Sequence, residues 1–250
     1  MDGDEGLARL RALGFAEADA AALWTHFDAA ERRGKASHGH SRIPWLEQLG
    51  GFDPRAEPEL VEDADGFQRW HGRGAVGYLV LERVVAAQLA APPEHARLVI
   101  CERTFPTGML GHHALRLADG GLVALLTATS PRRLGHPEGG PKLTGTNPLA
   151  IAVPSSGGDP VVIDVAMSAV TWGDVIAGLA SEDELVPFGG EQAHKAFALA
   201  VGLQLLVDAL TPVEGHGAVL LVARPAADPV PALRELAGGV RLPGDAFRRL

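Results

Sequence analysis

Four short apolar runs, RLVIC (97–101), LVALLTATS (122–130), LAIAV (149–153) and VVIDV (161–165), with Gly and Pro punctuation between them, constrain this chain more than any other feature. They read as strands of one central sheet, and AVLLVA (218–223) as a further strand. Helical patterns surround them. Leu7, Leu10, Leu13 and Phe15, then Ala20, Leu23, Trp24 and Phe27, recur at three- and four-residue steps and predict a helical cap over the first thirty residues. AVGYLVLERVVAAQLAA (75–91) predicts a strongly apolar helix stopped by Pro92-Pro93. A second long helix is expected from about His194 to Leu210 and a short one over 229–237. Residues 51–73 are polar and turn-rich, and 131–142 form a Pro/Gly/Arg-rich loop of functional appearance. Alternating strands and helices make an α/β protein, and 250 residues suffice for one domain or two interleaved ones.

The net charge of −9 argues against a nucleic-acid groove or an anionic membrane surface, since both need clustered Lys and Arg. Small molecules or other protein chains are the expected partners. One cysteine, Cys101, excludes an internal disulfide framework and a thiolate-built zinc site, and suits a reducing, cytoplasmic compartment. MDGDEG carries no export signature, and no uninterrupted apolar run reaches ~18 residues, so no membrane span is expected.

Ser37-His38-Gly39 followed by Arg42 offers a possible acid/base pair beside a carboxylate-binding cation, a combination suited to a small acid as substrate. A polar, Gly-broken connection between two helices has the same composition. Gly-Arg-Gly-Ala-Val-Gly (72–77) matches the dinucleotide GxGxxG pattern, but the preceding GFQRWH does not read as a buried strand. The acid expected ~20 residues on would fall near Glu94, beyond the double proline. These glycines read instead as allowing a helix to start close to neighbouring backbone. Leu-Thr-Gly-Thr-Asn-Pro (143–148) suits a phosphate, a carboxamide or a plain turn. Asp164 ends an apolar strand, where an acid needs a partner such as a histidine or a cofactor hydroxyl. His112 and His113 are adjacent on a helix and so point apart, no metal-binding histidine spacing occurs, and no metal is expected.

Taken in order, SHGHSRIPWLEQLGG (37–51), the glycine-opened helix from 72, GMLGHHALRLADGGL (108–122), TATSP (127–131), LTGTNPLAIAVP (143–154), VVIDVAMS (161–168), FGGEQAHKAFALAV (188–201) and VRLPGD (240–245) resemble the malate/L-lactate dehydrogenase-like family of NAD(P)-dependent oxidoreductases. That family includes ureidoglycolate dehydrogenase and the piperideine/pyrroline-2-carboxylate reductases. The resemblance implies a non-Rossmann α/β fold with a central mixed sheet: residues 1–70 with 225–250 as a helical, substrate-side domain, 71–224 as the sheet domain, and a homodimer. It assigns Ser37 and His38 to proton transfer and Arg42 to the substrate carboxylate, with Asp164 orienting His38. Ser130, Asp164, Val165, Ala166 and Lys195 fall where NAD or NADP is contacted, with Gly145, Thr146 and Asn147 nearby. The implied reaction moves a hydride to or from the carbon beside a carboxylate, in a 2-oxo acid, a 2-hydroxy acid or a cyclic 2-imino acid.

The chain departs from the family in three places. Pro106 stands where a histidine beside the nicotinamide is common, leaving proton transfer to His38 alone or to His112 or His113 reaching back. The stretch before Lys195 and the segment between Leu210 and Val240 are shortened, which bears on whether the dinucleotide site is retained. Asp174 replaces a usual lysine, where an acid would repel cofactor phosphate, and Ala196 replaces a glycine. The alternative is a repurposed member performing cofactor-free cyclisation, dehydration or isomerisation, or acting as a non-catalytic partner.

Overall fold

The computed structural model describes residues 1–211 and 215–245. Three helices open the chain, α1 (Gly3–Ala12), α2 (Glu17–Arg32) and α3 (Arg42–Leu49). Asp2 caps α1 by accepting from the Glu5 N–H at 2.9 Å. The predicted apolar stripe converges on one core, in which Leu10, Phe15, Leu23, Phe27, Ile43 and Leu46 pack on Val76, Tyr78 and Leu79.

The strands β1 (Glu59–Ala64), β2 (Phe67–His71), β3 (Ala96–Glu102), β4 (Val123–Ala128), β7 (Leu149–Val153), β8 (Val161–Val165) and β9 (Ala218–Ala223) form one sheet in the order β1-β2-β3-β9-β4-β7-β8. β5 (Leu134–Gly135) and β6 (Lys142–Thr144) make a separate small ladder. The main sheet is mixed: β2 and β3 are parallel, joined by the crossover helix α4 (Gly77–Ala90), and the other neighbours are antiparallel. All five runs expected as strands are in it. α5 (Leu110–Asp119) joins α4 over one core, where Val80, Leu81, Val84, Leu110 and Leu117 meet Val99, Leu126 and Leu220. α6 (Trp172–Ile176), α7 (Ala193–Leu210) and α8 (Val230–Ala237) complete the element order. Val207 of α7 packs with Ile100 and Val219 in a cluster separate from the α4/α5 core.

Three expectations change. The polar stretch 51–73 contains β1 and β2, so a domain boundary at 70 would cut the sheet. β2 escapes the apolar pattern because Gln68 is one of its buried residues: its amide oxygen accepts from Gln88 Nε2 at 2.7 Å and Trp70 Nε1 at 3.3 Å. A strand therefore does precede the GxGxxG segment. Its glycines still face their own chain, since a Cβ on Gly72 would sit 2.3 Å from Arg103 O and one on Gly77 2.7 Å from Phe105 N.

The helical cap is built from residues 1–50 with the start of α4, whereas the described part of 225–250 is fastened to the β7–β8 hairpin. Asp228 accepts from the Ser156 N–H at 2.7 Å, Arg234 donates to Asp159 O, and Val162 N–H donates to Pro243 O. Residues 246–250 of the expected terminal segment lie outside the described residues. Gly190–Leu210, despite its interrupting Lys195 and Asp208, is long and apolar enough to cross a membrane by length and composition. In the fold Ala193, Ala196, Ala200, Gln204 and Val207 are its buried positions.

Candidate active site

Between α2 and α3 the chain makes a single 3₁₀ turn, Ala36–His38, closed by His38 N–H to Lys35 O at 2.8 Å. Ser37 is buried, with its Oγ 3.1 Å from His38 Nδ1. Arg42, the first residue of α3, is 6% exposed and lies with its guanidinium carbon 4.8 Å from the Trp45 ring centroid. Its Nε has no hydrogen-bond partner, and among the described residues no carboxylate forms an ion pair with it. A buried guanidinium without a counter-charge is a costly arrangement that an incoming anion relieves.

α6 presses its start against this turn. Thr171 and Asp174 form a reciprocal cap, with Asp174 Oδ2 accepting from Thr171 N at 2.7 Å and from Thr171 Oγ1 at 2.8 Å. The contact is so close that a Cβ on Gly173 would lie 2.3 Å from Arg42 Nη2 and 2.6 Å from Ser37 O. Burial lowers His38 to about 3; Arg42 adds to the shift, Asp174 opposes it and Lys35 adds a little more. His38 is therefore neutral at pH 7 in this state. Burial works against the Asp174 carboxylate, yet hydrogen bonds from Thr171 and Ser37, with nearby His38, hold it below its ordinary range.

A cavity of about 570 Å³ opens beside the turn, a size suited to a small-molecule site. His38, Arg42, Ser130, Thr146, Asp164 and Ala166 line it, so six of the expected residues come together. Ser37 stands behind His38. Gly145, Asn147, Val165 and Lys195 do not line it. The Gly145 N–H donates to Gln204 Oε1, and Asn147 Nδ2 donates to Gln204 Oε1 and Ala200 O, so both serve the junction with α7. Val165 and Lys195 are exposed.

Asp164 sits at the end of β8 as expected, but it does not orient His38: its Oδ2 accepts from the Gly111 N–H at 2.7 Å, at the start of α5. Burial raises Asp164 to about 6, with Gly111 and Lys35 pulling the other way. The acid beside His38 is Asp174, which the sequence reading had placed against cofactor phosphate.

Pro106 lines the cavity, but His112 and His113 do not reach back to it. They do not diverge either. Both rings pack on His26, with centroids 4.6 and 5.1 Å away, in a buried knot that Tyr78 joins. Among the described residues no group of three His, Cys, Asp or Glu side chains is placed to hold a metal. Sequence reasoning also passed over Tyr78, Trp45, Trp172, Arg133 and Arg241, all of which line the cavity. Arg133 lies in the loop of functional appearance, and Trp45 and Arg241 in segments that carry the family resemblance; the Arg133 guanidinium stacks 3.7 Å from the Trp172 ring centroid. Ser130 and Thr146 hydroxyls, Asp164 and the two arginines form a donor and acceptor set that fits a nicotinamide dinucleotide, which needs hydroxyl and carboxamide partners and cations for its diphosphate.

A family model described as malate/L-lactate dehydrogenase matches residues 7–185. A (2R)-3-sulfolactate dehydrogenase (NADP(+)) from Chromohalobacter salexigens is 31% identical over 225 residues, covering 82% of this chain and 68% of that protein. A Δ1-pyrroline-2-carboxylate/Δ1-piperideine-2-carboxylate reductase from Pseudomonas putida is 32% identical over 238 residues, covering 79% and 66%. This chain thus spans about two thirds of the length of these curated relatives. The solved Δ1-piperideine-2-carboxylate reductase from Pseudomonas syringae pv. tomato superposes with a TM-score of 0.84 at 26% identity, covering 98% of this chain and 89% of that one.

Proposed function

The chain belongs to the malate/L-lactate dehydrogenase family, and we propose that it is a nicotinamide-dependent oxidoreductase acting on a small 2-oxo or 2-hydroxy acid or a cyclic 2-imino acid. The observation that carries the reading is Arg42, a buried cation with which no carboxylate of the described residues forms an ion pair, one face of a cavity that His38 also lines.

Arg42 holds the substrate carboxylate through parallel guanidinium hydrogen bonds. When bound, NADH or NADPH would supply the hydride for the carbon beside that carboxylate. Burial is the largest cause of the low value of His38 and Arg42 the next; once an anion neutralises Arg42 that second part is removed while the opposing attraction of Asp174 remains, so substrate binding moves His38 toward a protonated state. His38 then gives its proton to the substrate oxygen or imine nitrogen, a step worth about 10²–10⁴ in rate. Tyr78, Phe105 and Trp172 supply apolar walls that limit water around the reacting atoms. Ser130, Thr146, Asp164, Arg133 and Arg241 are the groups proposed to hold the dinucleotide.

Titration calorimetry of the purified protein with NADH and with NADPH tests this first. Micromolar affinity for either supports the redox reading and identifies the cofactor. Absence of binding at millimolar concentration overturns it in favour of cofactor-free acid/base chemistry at Ser37, His38 and Arg42. A homodimer is proposed as well, supported by an apolar face on α7 where Leu199, Leu205 and Leu206 are 53%, 62% and 43% exposed. A monomer by light scattering at micromolar concentration would remove it. The buried Cys101 thiol, pushed up to about 12 by burial, suits the proposed cytoplasmic setting, where no disulfide is needed.

A further inference from the structure

Asp174 has a second task that its capping role does not explain. Both Thr171 contacts fall on Oδ2, which leaves Oδ1 outside the cap. Ser37 lies beside this carboxylate and helps hold it ionised, and Ser37 Oγ lies 3.1 Å from His38 Nδ1. One hydroxyl has a single proton. An ionised carboxylate only accepts, so Ser37 donates to Asp174 and its oxygen is left to accept from Nδ1. We propose that Asp174 is a positioning residue for His38: through Ser37 it fixes the imidazole with its proton on Nδ1 and leaves Nε2 as the nitrogen that exchanges protons with substrate.

The surroundings favour this direction of polarity. The charged and titratable groups facing His38 are Lys35 on its own segment, Arg42 from α3, His26 from α2 and Asp174 from α6. Asp174 alone among them is an acid, and so alone stabilises an imidazolium when His38 takes up a proton. The close seat of Gly173 against Ser37 O and Arg42 Nη2 holds the carboxylate within reach of the turn. The sequence reading of Asp174 as a phosphate repellent gives way to a relay of three side chains from two elements.

The proposal rests on the oxidoreductase reading for its consequence but not for its test. Nitrogen-15 NMR of the imidazole in the cofactor-free protein should show His38 in the Nδ1–H tautomer, and Asp174→Asn and Ser37→Ala should each abolish that preference. Asp174→Glu should restore it in part. An unchanged tautomer in a folded Asp174→Asn protein would overturn the proposal, as would an Nε2–H tautomer in the parent. If Asp174→Asn fails to fold, Ser37→Ala, which leaves the α6 cap intact, decides the same question. Given turnover, Asp174→Asn should lower kcat about 10- to 100-fold, part of the ~10²–10⁴ that acid/base transfer contributes, with KM for the acid within about 2-fold. The midpoint of the falling limb in the reductive pH profile should move to lower pH. Absence of dinucleotide binding would defeat the oxidoreductase reading while leaving the tautomer result to stand or fall separately.

Discussion

Beside the cavity lie the half-buried His38 of the turn and a buried knot of three histidines, and they are held there for opposite ends. At the turn, His38 has its Nδ1 paired to Ser37 and a cavity in front of it. In the knot, His26, His112 and His113 press on one another, and His26 Nδ1 and the Tyr78 hydroxyl have no hydrogen-bond partner among the described residues. His26 does accept from the Met109 N–H at 3.1 Å, which ties α2 to the start of α5. Burial pushes all four histidines below their ordinary value. A shifted titration therefore does not mark chemistry here; a ring held at one nitrogen and facing a cavity does.

The sharpest way to break this contrast is to remove one histidine from each side. His38→Ala should reduce turnover about 10²–10⁴-fold with little change in stability. His113→Leu should leave turnover per folded molecule within about 2-fold and stability at pH 7.5 within about 1 kcal/mol, because an apolar side chain replaces an imperfectly satisfied polar one. Equal losses of activity would erase the distinction. Next, Arg42→Lys keeps the charge but loses the fork. KM for the acid should rise about 10- to 100-fold in steady-state assays, and an unchanged KM would make Arg42 structural. Gly173→Ala should cost about 10-fold in kcat/KM by forcing α6 away from Ser37 and Arg42. An unaltered rate would show that the close seat is not needed.

The smallest effect concerns pH. A histidine lowered by folding binds its proton more readily in the unfolded chain, so its stabilising contribution is complete above pH 6.5 and is lost as pH falls toward its folded value. His112, lowered to about 4 by burial with Arg116 assisting, should cost about 1–2 kcal/mol by pH 5, and its neighbours work in the same sense. Asp164, raised to about 6, acts oppositely, because its unfavourable ionisation is relieved below that pH. Urea denaturation between pH 7.5 and 5 should show a net fall in stability, smaller in His113→Leu than in the parent. A flat profile would mean that the knot is not kept neutral.

Much of this was legible in the sequence where one residue's role depends on its neighbours in the chain. The β3, β4, β7, β8 and β9 runs, α4 with its double-proline stop and the Ser37-His38-Arg42 turn all have local signatures. β2 was hidden because the partner that lets Gln68 be buried, Gln88, lies 20 residues on. The place of Asp174 beside the turn was hidden for the same reason, since it depends on contact with a segment far back in the chain. Asp164 was correctly suspected of needing a partner, but a backbone N–H of Gly111 carries no side-chain label by which sequence could find it. Tyr78 looked like one more apolar-helix residue until α2 and α5 closed around it.

The order of the sheet also governs how the molecule comes into being. β1, β2 and β3 form one block and β4, β7 and β8 another, and the two are joined edge to edge only by β9, which pairs with β3 on one side and β4 on the other. As the chain leaves the ribosome, both blocks have exposed inner edges until residues 218–223 arrive. β9, which follows all the other strands among the described residues, is the keystone, so the sheet that carries the β8 wall of the cavity is completed by a segment that lines none of it.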